Sequence, residues 1–310
     1  KVLKRLSNKD GIVELNPKIN GKLHEFYRTV SRIYKNEYMR FKLTLMINRE
    51  KYGDFLPLSY QYEASSAIYR ILSRADQEYA TWLHDNGFYL ETIKKFKLFT
   101  FSRIFGEYKI YKDTGRIRYL GETAEWYVSF LPEKSTQKFI EGLFQNQIFE
   151  IGDKKSAVQF HIICVEAMPE PEYSEEMEFE TLSPMCIKLK NEDDRTDYLS
   201  PKDVRAPYLI FNGLLDRYKI FYGKALPCSP DDCKLEVLRE PKSALIIVKA
   251  GTSEQTRVRG FQCRFKVKAP VEIMKIIYSS GIGVQTSVGF GCVEVMKSPL
   301  SIRTEGNGTI

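Results

Sequence analysis

The sequence reads as an α+β protein of two tandem ferredoxin-like (RRM-like, βαββαβ) units behind an N-terminal extension. Three observations lead there. Apolar and polar residues alternate from Met39 to Leu45, the period of a half-buried strand. The order strand, helix, strand pair, helix, strand follows, and the second half of the chain runs through the same order. A glycine-rich stretch, Gly281-Ile282-Gly283-Val284-Gln285-Thr286-Ser287-Val288-Gly289-Phe290-Gly291, precedes the final strand. The expected divisions are residues 1–38 for the extension, 39–172 for the first unit and 173–310 for the second.

Within the extension, Leu23, Phe26, Tyr27, Val30 and Ile33 are spaced for a helix over about Leu23–Tyr34. The first unit opens with the strand Met39–Ile47 and a loop through Pro57. A helix is expected over Tyr62–Arg74, where Ala64, Ala67, Ile68, Ile71 and Leu72 share a face. A shorter helix, Asp76–His84, stops at Asn86-Gly87. Strands are expected at Leu98–Phe105, Glu107–Tyr111 and Trp126–Phe130, a helix at Glu133–Gln145 after Pro132, and a strand at Ala157–Glu166. The acidic run Pro169–Glu180 reads as a solvated connection, because no His or Asp accompanies its glutamates as a metal-binding set would require. In the second unit the expected elements are a strand at Pro184–Leu189, a helix at Pro201–Tyr222, and strands at Lys234–Leu238, Ala244–Val248 and Gly260–Val267. A helix at Pro270–Ser279 and a strand at Gly291–Val295 complete it.

With 310 residues, 43% of them hydrophobic, the chain can bury a substantial core. The net charge of +7 suits a polyanionic partner without requiring one. The six cysteines lack the paired spacing of a zinc site, so they read as buried thiols, and neither metal nor cofactor is expected. No apolar run reaches the length of a membrane span and no signal-peptide pattern opens the sequence, so the expected compartment is a reducing cytoplasm.

The glycine stretch has the composition of a loop that offers backbone N–H groups to phosphate oxygens. No Lys-Ser/Thr pair follows it, which excludes a nucleotide P-loop. It enters a strand, which excludes a dinucleotide fingerprint. Upstream, Arg264, Lys266 and Lys268 alternate with Cys263, Phe265 and Val267, and Arg257 and Arg259 extend the basic run. Such a strand either tracks a phosphate backbone or faces solvent. The histidines are His24, His84 and His161. His84, at a helix end beside Asp85, fits a helix cap or a proton-transfer group.

From Met39 to Met296 the chain resembles the CRISPR repeat-RNA processing endoribonucleases of the repeat-associated mysterious protein (RAMP) superfamily. The glycine stretch running into Gly291-Cys292-Val293-Glu294-Val295 carries the resemblance most strongly. Met39-Arg40-Phe41, Pro57 to Tyr69, Trp82-Leu83-His84-Asp85 and Lys97-Leu98-Phe99-Thr100-Phe101-Ser102 also match, as do Leu182-Ser183-Pro184 and Tyr198-Leu199-Ser200-Pro201. The resemblance implies a catalytic set of Tyr69, His84 and Lys97, with Lys94 and Lys95 as alternative cations. It implies RNA contacts at Gly281, Gly283, Gln285, Thr286, Ser287, Gly289 and Gly291. The basic residues Arg257, Arg259, Arg264, Lys266 and Lys268 join them as candidates. The loop departs from many members in lacking a Lys or Arg at its centre.

The implied activity is metal-independent cleavage of precursor CRISPR RNA within its repeats, by attack of a 2′-hydroxyl that leaves 2′,3′-cyclic phosphate and 5′-hydroxyl ends. The implied partners are repeat RNA, a retained mature guide RNA, a CRISPR effector complex and a second copy of the chain. The alternative class is a non-catalytic RAMP-type RNA-binding subunit of an effector complex. A tandem ferredoxin-like protein with no nucleic-acid role is the third.

Overall fold

In a computed structural model, which describes residues 12–14, 39–90, 94–193 and 195–296, the alternating run at Met39 sits at the heart of the larger sheet. β1 (Ile12–Glu14) lies at that sheet's edge, and β2 (Met39–Asn48) is the alternating run. β2 buries Phe41, Leu43, Leu45 and Ile47 on one face, as a two-residue period dictates. There follow α1 (Arg49–Tyr52), β3 (Phe55–Pro57), α2 (Gln61–Ala75) and α3 (Gln77–Asp85). A hairpin of β4 (Phe88–Leu90) and β5 (Lys94–Phe96) leads to β6 (Phe99–Phe101), β7 (Phe105–Tyr111) and the long β8 (Arg116–Phe130). α4 (Glu133–Gln145), β9 (Ile148–Gly152) and β10 (Ala157–Ala167) complete the unit.

β2 is flanked antiparallel by β10 and β8, and β6 and β7 pair with the far side of β8. The spatial order is therefore fourth, first, third and second strand of a βαββαβ unit, with β1, β3 and β9 added at its margins. Ala64, Ala67, Ile68, Ile71 and Leu72 of α2, with Phe139, Ile140 and Leu143 of α4, are buried with the inward residues of this sheet in one core.

The second unit contains β11 (Glu176–Thr181), a small hairpin of β12 (Lys188–Lys190) and β13 (Thr196–Tyr198), and α5 (Ala206–Tyr222). Next come β14 (Lys234–Val237) and a hairpin of β15 (Lys242–Val248) and β16 (Thr256–Gln262). β17 (Arg264–Lys268), α6 (Val271–Ser280) and β18 (Val293–Val295) end it. Its sheet runs β14-β17-β11-β18, the same interleaved order read from the other edge. Both units are thus ferredoxin-like.

The first strand of the second unit corrects the sequence reading. It lies in the acidic run expected to be a connection, while the expected strand Pro184–Leu189 overlaps only the start of β12. Glu176, Glu178 and Glu180 alternate with Met177, Phe179 and Thr181, and the latter three are buried. The period of two was present, but the charge of the glutamates obscured it. The expected single strand Gly260–Val267 divides at Cys263 between β16 and β17. The helix expected over Leu23–Tyr34 lies outside the described residues.

The two units are joined at the C-terminal end of α6. The last carbonyls of a helix lack intrahelical partners and carry the negative end of its dipole. Here two buried guanidinium groups meet them. Arg40 of β2 donates to the carbonyl oxygens of Tyr278 and, at 2.5 Å, Val293, and its guanidinium carbon lies 3.7 Å from the centre of the Tyr278 ring. Arg217 of α5 donates to the carbonyls of Ser280 at 3.3 Å, Gly281 at 2.6 Å, and Gly283. Burial pulls the Arg217 pKa down to about 10, so it remains charged at neutral pH.

Replacing Arg217 by Met should cost about 2–4 kcal/mol, because charge-assisted hydrogen bonds are lost and buried carbonyls are left without donors. Urea denaturation checks this: the midpoint should fall with little change in the slope. An unchanged midpoint would show that the carbonyls find other partners.

Candidate functional site

Tyr69, His84 and Lys97 come from separate segments and meet at one place. Tyr69 lies on the third turn of α2, His84 on the last turn of α3, and Lys97 immediately after β5. The Tyr69 and His84 rings meet edge to face, with centroids 5.0 Å apart and planes at 83°. The Lys97 ammonium donates to the backbone carbonyl of His84 at 2.5 Å. That carbonyl belongs to the unpaired end of α3, so Lys97 caps the helix while resting beside the histidine. Gly87, at φ +68, makes the approach possible: a Cβ there would lie 2.7 Å from the Phe96 carbonyl oxygen and 2.9 Å from Lys97 Cδ.

The other two lysines are engaged elsewhere. Lys94 pairs with Asp216 of α5 at 2.6 Å, and Lys95 donates to the Asp85 carbonyl at 3.2 Å. Lys97 alone of the three bonds to His84. Burial, with help from the charge of Lys95, pulls its pKa down to about 8. Burial also raises the Tyr69 pKa well above its usual value, so its hydroxyl stays protonated. His84 remains largely exposed, and His161 lies on β10, paired in register with Met46 and Ile148.

The sequence reading assigned no role to Asp85. Its Oδ1 lies 2.7 Å from His84 Nδ1. A proton on Nδ1 donated to this carboxylate leaves Nε2 as the basic, outward nitrogen. The adjacent carboxylate was visible in the sequence, but neighbouring side chains usually diverge. The last turn of α3 is what brings these two together.

The glycine stretch is more buried than its composition suggests. Gly281, Ile282, Gly283, Thr286, Gly289, Phe290 and Gly291 are buried, whereas Val284 is exposed and Gln285 and Ser287 are partly exposed. Several backbone donors are already engaged: Ile282 N–H to Gly291 O, Val284 N–H to Cys186 O, and Gly291 N–H to Pro184 O. Gly291, at φ +68, has no room for a side chain, since a Cβ would lie 1.9 Å from the Ile282 carbonyl oxygen. A short turn, Thr286–Val288, starts from Gln285 in the left-handed region.

One stripe of α2 carries both features. Gln61, Ser65 and Tyr69 are four residues apart and so lie above one another on the helix. A Cβ at Gly289 would touch Gln61, the Ser65 hydroxyl donates to the Ser287 carbonyl at 2.7 Å, and Tyr69 meets His84. At 1.5 Å per residue, Tyr69, which meets the histidine, lies about 6 Å along α2 from Ser65 and about 12 Å from Gln61.

The basic residues divide into two groups. Arg264 and Lys266 of β17 face the acidic strand β11, where they pair with Glu178 at 2.7 Å and Glu176 at 3.0 Å. Their charge is largely compensated within the sheet. Arg257 and Arg259 stand on the exposed face of β16, alternating with buried Val258 and Gly260, and Lys268 is exposed at the end of β17. Among the described residues, no group of three or more His, Cys, Asp or Glu side chains is arranged to hold a metal ion, and no helix is long and apolar enough to cross a membrane.

Two tandem ferredoxin-like units, with a glycine-rich loop of the second packed on a helix of the first, define a protein of the RAMP class. The family model described as "CRISPR-associated protein Cas6, N-terminal" matches residues 55–161, and "CRISPR associated protein Cas6, C-terminal" matches residues 168–295. The chain belongs to the Cas6 family. It is 27% identical over 261 residues to CRISPR-associated endoribonuclease Cas6 1 of Methanocaldococcus jannaschii, covering 83% of this chain and 92% of that one. It is 26% identical over 259 residues to CRISPR-associated endoribonuclease Cas6 of Pyrococcus furiosus, covering 83% and 90%. A solved RAMP protein that binds different RNA substrates superposes with a TM-score of 0.69 at 25% identity, covering 84% of this chain and 100% of its own.

Lysine-selective NMR should find Lys97 titrating near pH 8. In a Gly87→Ala variant the added methyl displaces the Lys97 stem, and the titration should move up toward the usual lysine range of about 10.4. An unmoved titration would show that Gly87 does not set the position of Lys97.

Proposed function

We propose that this chain is an endoribonuclease that cleaves precursor CRISPR RNA within its repeats, without a metal ion. The observation that carries the proposal is the meeting of Tyr69, His84 and Lys97 beside a loop that faces the same stripe of α2. The endoribonuclease names of the Cas6 relatives support it.

RNA carries its own nucleophile. The 2′-oxygen attacks the adjacent phosphorus, the bond from phosphorus to the 5′-oxygen breaks, and a 2′,3′-cyclic phosphate and a 5′-hydroxyl remain. A base must take the 2′-hydroxyl proton, a donor must supply one to the 5′-oxygen, and positive charge must meet the charge growing on the phosphoryl oxygens. In our assignment His84 Nε2, oriented through Nδ1 by Asp85, takes the proton. Lys97 supplies the charge and, with a pKa near 8, can also donate to the leaving oxygen. The protonated Tyr69 hydroxyl orients the phosphate. The glycine loop, through Gln285 and Ser287, holds the RNA with Arg257, Arg259 and Lys268. Arg264 and Lys266 have a smaller part because of their glutamate partners.

A second reading has one observation in its favour. The Lys97 ammonium is bonded to the His84 carbonyl, the role of a structural cap. In that reading the chain is an RNA-binding subunit that holds RNA without cutting it.

Pure protein incubated with labelled repeat RNA should cleave it in the presence of EDTA. His84→Ala should slow single-turnover cleavage about 10²–10⁴-fold, the range of general acid–base catalysis, with RNA binding largely kept. Binding without cleavage by the unmutated protein would favour the subunit reading instead. In the pH profile, cleavage should fall as pH rises through about 8, where Lys97 loses its proton. Lys97→Arg stays charged over that range, so any residual activity should lack the fall. A fall at the same pH in that variant would remove Lys97 from the role.

A further inference from the structure

α3 has a second side that the assigned chemistry does not use. Residues two apart on a helix point about 200° from each other, so Trp82 faces away from the cluster that holds His84. Behind it lies a concavity of about 530 Å³ whose lining includes Glu78, Tyr79, Trp82, Phe88 and Lys134. Trp82 is 37% exposed. Its ring stacks with Tyr79 at 5.6 Å and 28°, and meets Phe88 edge to face at 5.2 Å and 84°. The Lys134 ammonium lies 4.6 Å from the centre of the Tyr79 ring.

This combination matches how single-stranded nucleic acid is held: an exposed aromatic plane, flanking aromatic rings and a nearby cation. The carboxylates at the rim, Asp76 and Glu78, disfavour a phosphate inside the concavity. They suit the edge of a base, since Asp and Glu accept hydrogen bonds from exocyclic amines such as that of cytosine. Asp76 is partly engaged, accepting from the Tyr79 N–H at 2.9 Å as the N-cap of α3, which leaves Glu78 as the more available acceptor. The concavity and the candidate active site share α3, which presents His84 on one side and Trp82 on the other.

We propose that this concavity holds one unstacked, amine-bearing nucleobase of the bound RNA, on the side of α3 away from His84. Trp82 is its stacking platform and Glu78 the acceptor for its amine. The proposal rests on the RNA-cleaving reading and adds a site for a further base of the same RNA.

Tryptophan fluorescence can test it in the full chain, because the sequence has two tryptophans and Trp126 is fully buried. The probe is random-sequence single-stranded RNA, 2′-O-methylated so that it lacks the attacking hydroxyl, at low salt where phosphate contacts are strongest. Saturating RNA should quench Trp82 and shield it from acrylamide. Trp82→Ala should weaken binding about tenfold, within the range of one base–aromatic stack. Trp82→Phe should restore most of that loss. Ten-residue oligo-C should bind more tightly than oligo-U, and Glu78→Gln should narrow the difference. RNA that binds with Trp82 emission and acrylamide access unchanged, or a Trp82→Ala protein of normal affinity, would overturn the base pocket and leave the nuclease reading standing. Failure of the unmutated protein to bind RNA at low salt would instead overturn the RNA reading, and this site with it.

Discussion

The grip of two buried guanidinium groups on the C-terminal end of α6 is the interaction on which the rest of the structure depends. A helix end in a buried interface exposes carbonyls that neither water nor the helix can satisfy. Arg40 reaches them from the first unit and Arg217 from the second. The glycine loop begins where this helix stops, so its path is set by the same contacts: the Gly281 and Gly283 carbonyls are further acceptors for Arg217. The desolvation of two cations is offset by charge-assisted hydrogen bonds and by the helix dipole. Neither unit alone would bring this set together.

The geometry of α2 follows from that junction. Its inward face packs on the first sheet, while Gln61 and Ser65 on another stripe meet the glycine loop. Tyr69 continues that stripe to His84. The loop belongs to one unit and the histidine to the other, yet both are placed by one rigid element. Helices hold side chains more precisely than loops do, which suits chemistry that depends on ångström-scale alignment.

Charge is distributed with the same economy. The acidic strand β11 pairs with the basic strand β17, and their ion pairs lie along a sheet face. Exposed pairs of this sort add little stability, but they neutralise a surface that would otherwise carry a block of like charge. The positive charge available to a polyanion is thereby shifted toward the hairpin of β15 and β16, where Arg257 and Arg259 remain exposed.

Local pattern was enough for much of this. The alternation of β2, the apolar stripe of α2 and the proline-led start of α4 each declare an element, and the bounds expected for α4 match those observed. The scarcity of histidine and the helix stop at Asn86-Gly87 singled out His84. By contrast, β11 was hidden because half its residues are glutamates whose cationic partners lie more than eighty positions away. Sequence could not choose among Lys94, Lys95 and Lys97 either, since Asp216, remote in the chain, is what engages Lys94. Nor did it mark Arg40 or Arg217 as more than ordinary charges, because their acceptors are backbone carbonyls, which every residue has. The sequence by itself determined the period of each element, the order of the two units and the residue types available for chemistry, all of which rest on near neighbours. Only the tertiary structure decided which cation stands beside His84 and why the glycine loop is buried, because those depend on contacts between segments that only folding brings together.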